Sequence, residues 1–469
     1  MGLWWLSRPS RFPEHHPTNE KMLGREINGV DGTIGIEECG LGHSHRRKSP
    51  SQPWSIIGVV KLGPDPRDDV VARQYQRWVY PPPTRDVEEW TAENLDPTDP
   101  VHAHRVYWPD REYPAGLDIL VAGCGANQAA YFAFKNPSAK VVAIDVSQPS
   151  LDHLQYLKDQ HSLQNLEPHL LPIEELSALG LDFDLVVCVG VLHHLADPAQ
   201  GMRALAGCLR RDGVASVMLY AKYGRIGVDM LASIFHDLGM GQDESSVQLV
   251  RDTIPLLAAD HPVRTYMKTS PDLDASTGVV DTFLHGRQRC YTVTECIDLV
   301  TSAGLVFQEW LFKSLYYPHE ILALPDRLKS ALNALPDVKI WSLMERINAL
   351  NSSHAFVACR PDRPTADYTV DFSSAEALSY IPVVRTLSRM EGYVVVMPHA
   401  RVPLSGIELL FIRFVDGRRT IREIAALVVT EPAWQHGAAV IEDLARKAFQ
   451  NLWRLDFLAM ARTPATPTN

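Results

Sequence analysis

From Gly116 to Cys359, short apolar runs alternate with segments that have helical spacing. Apolar runs of about four to eight residues between turn residues are typical of strands that are covered on both faces. Their alternation with helical segments predicts an α/β protein with a doubly wound sheet. The seven predicted strands are Leu117–Ala122, Lys140–Ile144, Glu167–Leu171, Phe183–Val189, Val214–Tyr220, Leu305–Leu311 and His354–Cys359.

Cap and turn residues place helices between these strands. A helix is predicted over Ala126–Phe134 and another after Asp197, because Asp is a common N-cap and Pro198 fits the first helical position. Glu295–Ala303 is predicted to be the helix before the sixth strand. We interpret Leu209–Gly213 as the turn that leads into the fifth strand.

Two insertions interrupt this pattern. Residues 226–284 have helical spacing, and residues 314–353 contain two predicted helices, Arg327–Leu335 and Val338–Leu350. Because insertions at the open edge of such a sheet commonly form the substrate lid, we expect a lid here.

The sequence before the sheet divides into two parts. Residues 1–65 show little periodicity and are expected to be a disordered tail. Residues 66–112 form a lead-in rich in Trp and Tyr, with a predicted helix over Val70–Trp78. The sheet and its insertions occupy residues 113–361. The aromatic side chains of the lead-in either pack over a ligand cleft or seal the edge of the sheet.

A small, mostly helical C-terminal domain is predicted over residues 365–463, after a proline-bounded linker. Thr420 and Glu423 match a capping box, which predicts a helix that begins at Ile421. The run Phe414–Ile424 resembles small winged-helix or peptide-binding accessory domains of modification enzymes. That resemblance implies a docking role, and a structural or dimerising appendage is the alternative.

Composition and charge exclude several classes of protein. A chain of 469 residues predicts two or three domains. The net charge of −11 argues against a general nucleic-acid coat. Seven cysteines without a Cys-x-x-Cys pair predict reduced thiols rather than a disulfide framework or a zinc site. No run approaches the ~18 apolar residues that cross a membrane. The reduced thiols predict a cytoplasmic protein, and no acid-rich or Cys/His cluster in the sequence indicates a metal.

The first chemical signal is the turn after the first strand. Gly123 and Gly125 allow a tight turn and a close approach of the backbone to a ligand. Asp145 ends the second strand, twenty residues after Gly125, where nucleotide-binding sheets place a carboxylate for ribose hydroxyls. The spacing indicates a nucleoside cofactor. Gln128 stands where a nicotinamide site normally has a third glycine, which argues against a diphosphate on the helix.

This loop resembles the cofactor loop of class I S-adenosylmethionine-dependent methyltransferases. The resemblance implies that Gly123, Cys124, Gly125 and Gln128 line the cofactor site around its methionine part. It also implies that Asp145 holds the ribose hydroxyls, with Val146 beside it.

The fourth strand carries a second signal of the same family. It begins with Phe183 and Asp184 and is followed by Gly190-Val191-Leu192-His193-His194, a pattern that in this family lies beneath the methyl donor. The resemblance covers residues 119–223 and implies that Gly190, Val191 and His193 contact the cofactor.

The loop after the third strand departs from the family pattern. Pro172 stands where many relatives carry an acid for the adenine amino group. We expect Ile173 to pack on the adenine or to offer it an N–H group. Glu174 either takes over the amino contact or faces solvent.

Methyl transfer from a sulfonium requires alignment and exclusion of water, and it needs a general base only when the acceptor must lose a proton. His194 and His193 are candidate bases, since histidine titrates in the right range, and packing in the core or against the cofactor is the alternative for both. A substrate pocket is expected after the fifth strand. A cluster at the end of the first insertion is expected to complete it, with a structural salt-bridge network as the alternative for that cluster: Asp281, His285, Arg287, Arg289 and Tyr291. The pocket's candidate acceptor-binding residues are Tyr220, Arg225, His285, Arg289 and Tyr291, and Tyr223 is a further candidate catalytic residue.

The sequence therefore predicts a methyltransferase that uses S-adenosylmethionine and transfers a methyl group by in-line displacement to a small-molecule or peptide acceptor. An NAD(P)-dependent oxidoreductase and a non-catalytic methyltransferase-like scaffold are the alternatives. Nucleic acid is a disfavoured acceptor, because Val191-Leu-His-His stands where base-modifying enzymes carry an Asn/Asp-Pro-Pro-Tyr/Phe run. A docking partner or dimer contact is expected at the C-terminal domain.

Overall fold

The computed structural model describes residues 65–113, 116–268, 270, 274–319, 324–397, 400–430 and 437–463. Within them, seven strands form one sheet: β1 (Asp118–Ala122), β2 (Lys140–Asp145), β3 (Leu166–Leu170), β4 (Phe183–Val189), β5 (Leu209–Tyr220), β6 (Val306–Trp310) and β7 (Ser353–Cys359). Their order is β3-β2-β1-β4-β5-β7-β6. The first five strands are parallel, and β7 is antiparallel to both of its neighbours. The predicted doubly wound α/β sheet is confirmed.

Helices precede, cover and interrupt the sheet. The lead-in contains α1 (Val70–Arg77), α2 (Val87–Glu93) and α3 (Pro100–Tyr107). The helices that alternate with strands are α4 (Gln128–Lys135), α5 (Gln148–Gln160), α6 (Pro198–Gly207) and α11 (Val293–Ser302). The first insertion contains α7 (Ile226–Asp237), α8 (Glu244–Leu256), α9 (Pro262–Met267) and α10 (Ser276–Phe283), and the second contains α12 (Asp326–Asn333) and α13 (Asp337–Ile347). Both predicted insertions are therefore helical.

The apolar strands are covered on both faces. Along β1, Ile119 and Val121 join one hydrophobic cluster, which includes the buried faces of α4, α5 and the first insertion. Leu120 and Ala122 join the opposite cluster, with residues of α6 and α11. This alternation follows from the two-residue period of a strand, and it explains why β1 is almost entirely apolar.

The interpretation of Leu209–Gly213 as a turn is wrong. β5 already begins at Leu209, which pairs with Phe183, and the pairing then jumps to Leu185 opposite Val214. The extra residues on β5 form a bulge. Gly213 lies in this bulge, where an added Cβ would come within 2.7 Å of the carbonyl oxygen of Phe183.

The C-terminal domain combines helices with two small sheets. Its helices are α14 (Gly406–Ile412), α15 (Ile421–Val429) and α16 (Ala438–Arg454), and its strands are β8 (Ile381–Val384), β9 (Arg389–Glu391), β10 (Val394–Met397), β11 (Ala400–Pro403) and β12 (Leu458–Ala461). The three strands β9 to β11 form an antiparallel sheet, and β12 pairs with β8. The capping box predicted at Thr420 and Glu423 is present at the start of α15. Across the described residues, no helix combines the length and the apolar character that a membrane span requires.

A buried charge cluster joins this domain to the sheet. The carboxylate of Asp456, just before β12, lies 3.0 Å from a guanidinium nitrogen of Arg385 and 3.4 Å from Nζ of Lys313. It also accepts the backbone N–H of Ser314 at 2.8 Å. Lys313 and Ser314 follow β6, whereas Arg385 and Asp456 belong to the C-terminal domain. Since the side chains of Asp456, Arg385 and Lys313 are at most 4% exposed, the charges depend on one another.

We expect the substitution Asp456→Asn to reduce the free energy of unfolding by about 3–5 kcal/mol, because it removes the buried anion of Arg385 and leaves Lys313 with only the carboxylate of Glu309, 3.6 Å away. Asn tolerates the positive φ of this position, +63°, so the substitution removes mainly the charge. Urea denaturation measures the change. The control is Asp443→Asn, whose carboxylate pairs with Arg446 and Lys447 on the surface of α16, and which should cost at most about 1 kcal/mol. Equal effects of the two substitutions would contradict the coupling role of Asp456.

Candidate functional site

The glycine loop after β1 is held against the end of β2. The N–H groups of Gly123 and Cys124 donate to the carbonyl oxygen of Ile144 at 2.9 and 3.0 Å. Gly123 and Gly125 have φ values of +71° and +53°, which other residues rarely adopt. An added Cβ at Gly123 would lie 2.4 Å from a methyl carbon of Val191, so the loop also packs closely on the segment that follows β4.

Asp145 connects the loops that follow β1 and β2. One carboxylate oxygen accepts the N–H of Gly125 at 2.8 Å, and the other accepts the N–H of Ser147 at 2.9 Å. Burial raises the pKa of this carboxyl group, and the backbone donors oppose that effect. Because a carboxylate oxygen can accept more than one hydrogen bond, Asp145 retains capacity for further donors.

The lead-in covers the start of α4. The side chain of Asn127 accepts the N–H of Thr84 at 3.0 Å and donates to the carbonyl of Pro82 at 2.9 Å. The side-chain amide of Gln128 donates to the carboxylate of Asp96 at 2.9 Å. Gln128 is thus held by the lead-in, and an acidic side chain lies at the beginning of the helix.

The lead-in also lies over the end of β2. The side-chain amide of Gln76 donates to the carbonyl of Val146 at 3.0 Å, and the hydroxyl of Ser147 donates to the carbonyl of Tyr75 at 2.9 Å. These two bonds place α1 against the segment that follows β2. The side chain of Cys124 is buried, and burial raises the pKa of its thiol.

The loop after β3 contains one buried acceptor atom without a hydrogen-bond partner among the described residues. Ile173 begins a short 3-10 helix, Ile173–Leu179, and its side chain packs in the core. An oxygen of Glu174 is buried and has no hydrogen-bond partner among the described residues, and burial raises the pKa of this carboxyl group. An unsatisfied buried oxygen is costly, which favours a role for Glu174 in accepting a hydrogen bond from a ligand.

The segment after β4 brings two histidines into the site. Gly190 has a φ of +77°, and Leu192–His194 form a 3-10 turn. The ring of His193 lies 3.7 Å from that of Tyr220 at the end of β5. Burial lowers the pKa of His193 well below its ordinary value. Within the described part of the chain, neither ring nitrogen of His193 has a hydrogen-bond partner.

The hydrogen bonds of His194 determine its tautomer. Its Nδ1 lies 2.9 Å from the carbonyl oxygen of Arg287, which can only accept, so Nδ1 carries the proton. Nε2 therefore holds a lone pair, and this atom is buried and has no partner among the described residues. The ring stacks on that of His285 with centroids 3.8 Å apart. Because burial lowers the pKa of His194 well below its ordinary value, the ring is neutral near pH 7.

Asp281 on α10 lies beside these histidines. One of its oxygens accepts the hydroxyl of Tyr75 at 2.7 Å, and the other accepts the hydroxyl of Tyr220 at 3.2 Å. The hydroxyl oxygen of Tyr75 is 3.3 Å from Nε2 of His285. Nδ1 of His285 accepts the N–H of Arg287 at 3.0 Å, so the proton of the neutral ring is on Nε2.

The same group has the composition of a metal site. The nearest ligand atoms of His194, Asp281 and His285 all lie within 4.8 Å of one another, and two imidazoles with a carboxylate suit several divalent metals. The backbone N–H of Arg287 argues against a metal at this position, because it donates to Nδ1 of His285 and so keeps the ring proton on Nε2. Nε2 is the nitrogen that lies beside the hydroxyl of Tyr75, which in turn donates to Asp281. We therefore describe the three residues as a hydrogen-bonded cluster.

Arg287 and Asp69 support this cluster, and the sequence indicated no role in the site for Asp69. Nε of Arg287 donates to the carbonyl of His194 at 2.9 Å, and its guanidinium donates to the carboxylate of Asp69 at 2.8 Å. Asp69 is the N-cap of α1, so the lead-in helix is tied to the segment that carries His194. The one signal for Asp69 was its position before a helical pattern, which indicates a cap and says nothing about a site.

The other predicted acceptor residues are distributed over two places. Arg225 is buried in the first insertion, where its guanidinium lies 3.7 Å from the ring of Tyr220 and donates to the hydroxyl of Tyr266. The side chain of Arg289 is exposed and pairs with Glu295 at 3.1 Å, and its backbone N–H donates to the carbonyl of His193 at 3.0 Å. Tyr291 pairs by its backbone with Tyr220, and burial raises its pKa to about 12. Among the described residues, no hydrogen bond or ring contact joins Tyr223 to His194, Asp281 or His285.

We expect Gly123→Ala to be more destabilising than Gly180→Ala. Both positions have a positive φ, +71° and +60°, so both substitutions should cost about 1–2 kcal/mol in backbone strain. An added Cβ at Gly180 would meet nothing within 4 Å, whereas at Gly123 it would clash with Val191. Chemical denaturation of the two variants measures the difference. Equal losses of unfolding free energy in the two variants would contradict the contact between Gly123 and Val191. So would a failure of the second substitution Val191→Ala to restore stability to Gly123→Ala.

The low pKa of His285 should make folding sensitive to acid. Burial lowers this pKa from 6.5 to about 4, so the unfolded chain takes up the proton first and stability falls as the pH decreases between these values. The loss should be about 1.4 kcal/mol per pH unit. We expect His285→Gln to flatten the pH dependence of the unfolding midpoint by that amount. His236→Gln, at a side chain on α7 that is 90% exposed, is the control and should leave the slope unchanged. An unaltered slope in His285→Gln would contradict the assignment.

Known proteins match the part of the chain that carries these loops. Residues 120–215 match the model of a family described as a methyltransferase domain. An uncharacterized protein of Synechococcus is 25% identical over 258 residues, which are 54% of this chain and 62% of that protein. A tRNA U34 carboxymethyltransferase of Campylobacter jejuni is 36% identical over 100 residues, 20% of this chain and 33% of that protein. A ubiquinone biosynthesis O-methyltransferase of Neisseria meningitidis is 29% identical over 100 residues, 21% of this chain and 42% of that protein.

The chain thus spans less than two thirds of the length of each of these relatives. Among solved structures, PKMT2 from Rickettsia typhi in complex with AdoHcy is similar with a TM-score of 0.54 and 14% identity, over 78% of this chain and 75% of that protein. At this identity the similarity concerns the fold. Together with the glycine loop, Asp145 and the Val191-Leu-His-His segment, these matches confirm the resemblance noted in the sequence. Residues 120–215 carry a methyltransferase domain of the class I, Rossmann-like, S-adenosylmethionine-dependent type.

Proposed function

We propose that the protein transfers a methyl group from S-adenosylmethionine to a small-molecule or peptide acceptor by in-line displacement. The observation that carries the proposal is the position of Asp145, which is bonded to Gly125 where β1 and β2 end side by side. Ligands of doubly wound sheets bind at this edge, and a carboxylate there suits the two hydroxyls of a ribose.

The residues around this point fit the cofactor. Gly123, Cys124 and Gly125 would lie against its methionine part, and Asp145 would accept hydrogen bonds from its ribose. Glu174 has a buried oxygen that can accept the adenine amino group, beside the apolar side chain of Ile173. When bound, the cofactor supplies a methyl group whose bond to sulfur breaks, with its electron pair left on sulfur, as the acceptor atom binds the methyl carbon.

The chain's own residues would exclude water and receive a proton. The lead-in helix α1 lies over the site through Tyr75 and Gln76, and the helices of the first insertion supply Asp281 and His285. His194 would act as the base, since it is neutral and holds its lone pair on Nε2. Among the described residues, Tyr223 has no hydrogen bond to the cluster, so we assign the proton to His194.

A nicotinamide cofactor fits this site less well. A diphosphate would bind at the start of α4, where the backbone N–H groups point outward. In this protein the lead-in occupies that position: the carbonyl of Tyr80 would lie 2.9 Å from a Cβ added at Gly125, and Asp96 is bonded to Gln128. A buried acidic side chain beside a diphosphate would be repulsive. The oxidoreductase alternative is therefore disfavoured.

Isothermal titration with S-adenosylmethionine, S-adenosylhomocysteine, NAD⁺ and NADH tests the cofactor. We expect binding of the first two ligands only, and a loss of affinity of about 100-fold in Asp145→Ala, because two hydrogen bonds to a charged group are removed. Asp152→Ala, an exposed acid on α5, is the control and should bind as the unaltered protein does.

Two results would contradict the proposal. One is binding of NAD⁺ or NADH in place of the sulfonium cofactor, and the other is unaltered affinity for S-adenosylhomocysteine in Asp145→Ala. Binding of the cofactor without any product of +14 Da in a metabolite and peptide extract would favour a non-catalytic scaffold.

A further inference from the structure

The cluster around Asp281 contains a buried negative charge that no described cation neutralises. Asp281 is 2% exposed, and its recorded partners are the hydroxyls of Tyr75 and Tyr220. Among the described residues, no lysine or arginine nitrogen lies within ion-pair distance of its carboxylate. A buried carboxylate is stable only when it is well hydrogen-bonded or paired, so this position favours a cationic ligand.

The nearest basic groups do not replace such a ligand. His194 and His285 are neutral near pH 7, because burial lowers both of their pKa values. Arg225 directs its guanidinium to the hydroxyl of Tyr266 and to the side chain of Gln288. Among the described residues, the groups that contact the Asp281 carboxylate are the hydroxyl donors of Tyr75 and Tyr220.

The hydrogen-bonding groups of the cluster that remain available are acceptors. The Nε2 proton of His285 faces the oxygen of Tyr75, and the hydroxyl protons of Tyr75 and Tyr220 face Asp281. The remaining capacity consists of acceptors: the lone pairs of Asp281 and Nε2 of His194. A ligand must therefore donate hydrogen bonds here. A carboxylate ligand has no proton to donate and would be repelled by Asp281. A hydroxyl group can donate one hydrogen bond, and a secondary or primary ammonium group can donate two or three.

We infer that the methyl acceptor is a primary or secondary amine, which binds as its ammonium ion between Asp281 and Nε2 of His194. This inference rests on the proposed methyltransferase function. One N–H group of the ammonium pairs with the Asp281 carboxylate, and a second donates to Nε2 of His194. The second proton then passes to Nε2, which leaves a lone pair on the amine nitrogen. The resulting imidazolium lies within 4.8 Å of Asp281, whose charge offsets the penalty of burying it.

A pair of cofactor analogues tests this assignment by binding alone. Both are S-adenosylhomocysteine analogues with nitrogen in place of sulfur, and this nitrogen carries a 2-aminoethyl arm in one and a 2-hydroxyethyl arm in the other. The arms extend from the position of the transferred methyl group. We expect the aminoethyl compound to bind about 10-fold more tightly in isothermal titration, since a hydrogen bond to a charged group is stronger than a neutral one.

The variant Asp281→Asn should reduce this preference to within about twofold while S-adenosylhomocysteine binds as before. Asp229→Asn is the matched control: this partly buried acid lies in the same insertion, beside Cys290, and its substitution should preserve the preference. If Asp281→Asn fails to fold, the comparison of the two arms in the unaltered protein still decides the question.

Three results would overturn the inference. The first is equal affinity of the unaltered protein for the two arms, and the second is a preference for the aminoethyl arm that persists in Asp281→Asn. The third is a preference that disappears when EDTA is added, because that result would assign the cluster to a metal ion. If Asp281→Asn weakens S-adenosylmethionine without affecting the arm preference, the carboxylate serves the sulfonium and the inference also fails. If S-adenosylhomocysteine itself does not bind, the proposed function fails instead.

Discussion

Burying a carboxylate costs several kcal/mol unless hydrogen-bond donors or cations surround it. Three buried or partly buried aspartates meet this requirement with donors from segments that are distant in sequence. Asp145 accepts the backbone of the glycine loop, Asp281 accepts hydroxyls from the lead-in and from β5, and Asp456 pairs with cations on both sides of the domain junction. The cofactor loop, the acceptor cluster and the attachment of the C-terminal domain all depend on these contacts.

The lead-in is part of the site for the same reason. Asp69 pairs with Arg287, which in turn binds the carbonyl of His194, and Tyr75 bonds to Asp281. These contacts tie α1 and its N-cap to the segment after β4 and to α10 of the first insertion. A short helix outside the sheet, together with its N-cap Asp69, therefore helps to set both the orientation of the histidine and the hydrogen bonds of the acid.

The fold could be predicted closely because its strands are short apolar runs with clear boundaries. β4 was predicted at its observed bounds, and the helix after Thr420 begins where its capping box requires. The prediction failed at Leu209–Gly213, because a bulge leaves no mark in the hydrophobic pattern. In the site, the positions of Gly123, Gly125 and Asp145 could be anticipated from spacing, and their cofactor roles remain predictions. The exposed side chain of Arg289 pairs with Glu295, and its role in acceptor binding remains a prediction.

The sequence by itself determined the class of fold, the order of its elements and the type of cofactor loop. These features depend on local periodicity, on glycines with special backbone angles and on one acid at a fixed spacing. Only the tertiary structure decided which nitrogen of His194 carries its lone pair and which hydroxyls surround Asp281. Those properties arise from hydrogen bonds between α1, α10 and the segments after β4 and β5, up to 206 residues apart along the chain. No local pattern records such distances, because the donors meet only when the chain has folded.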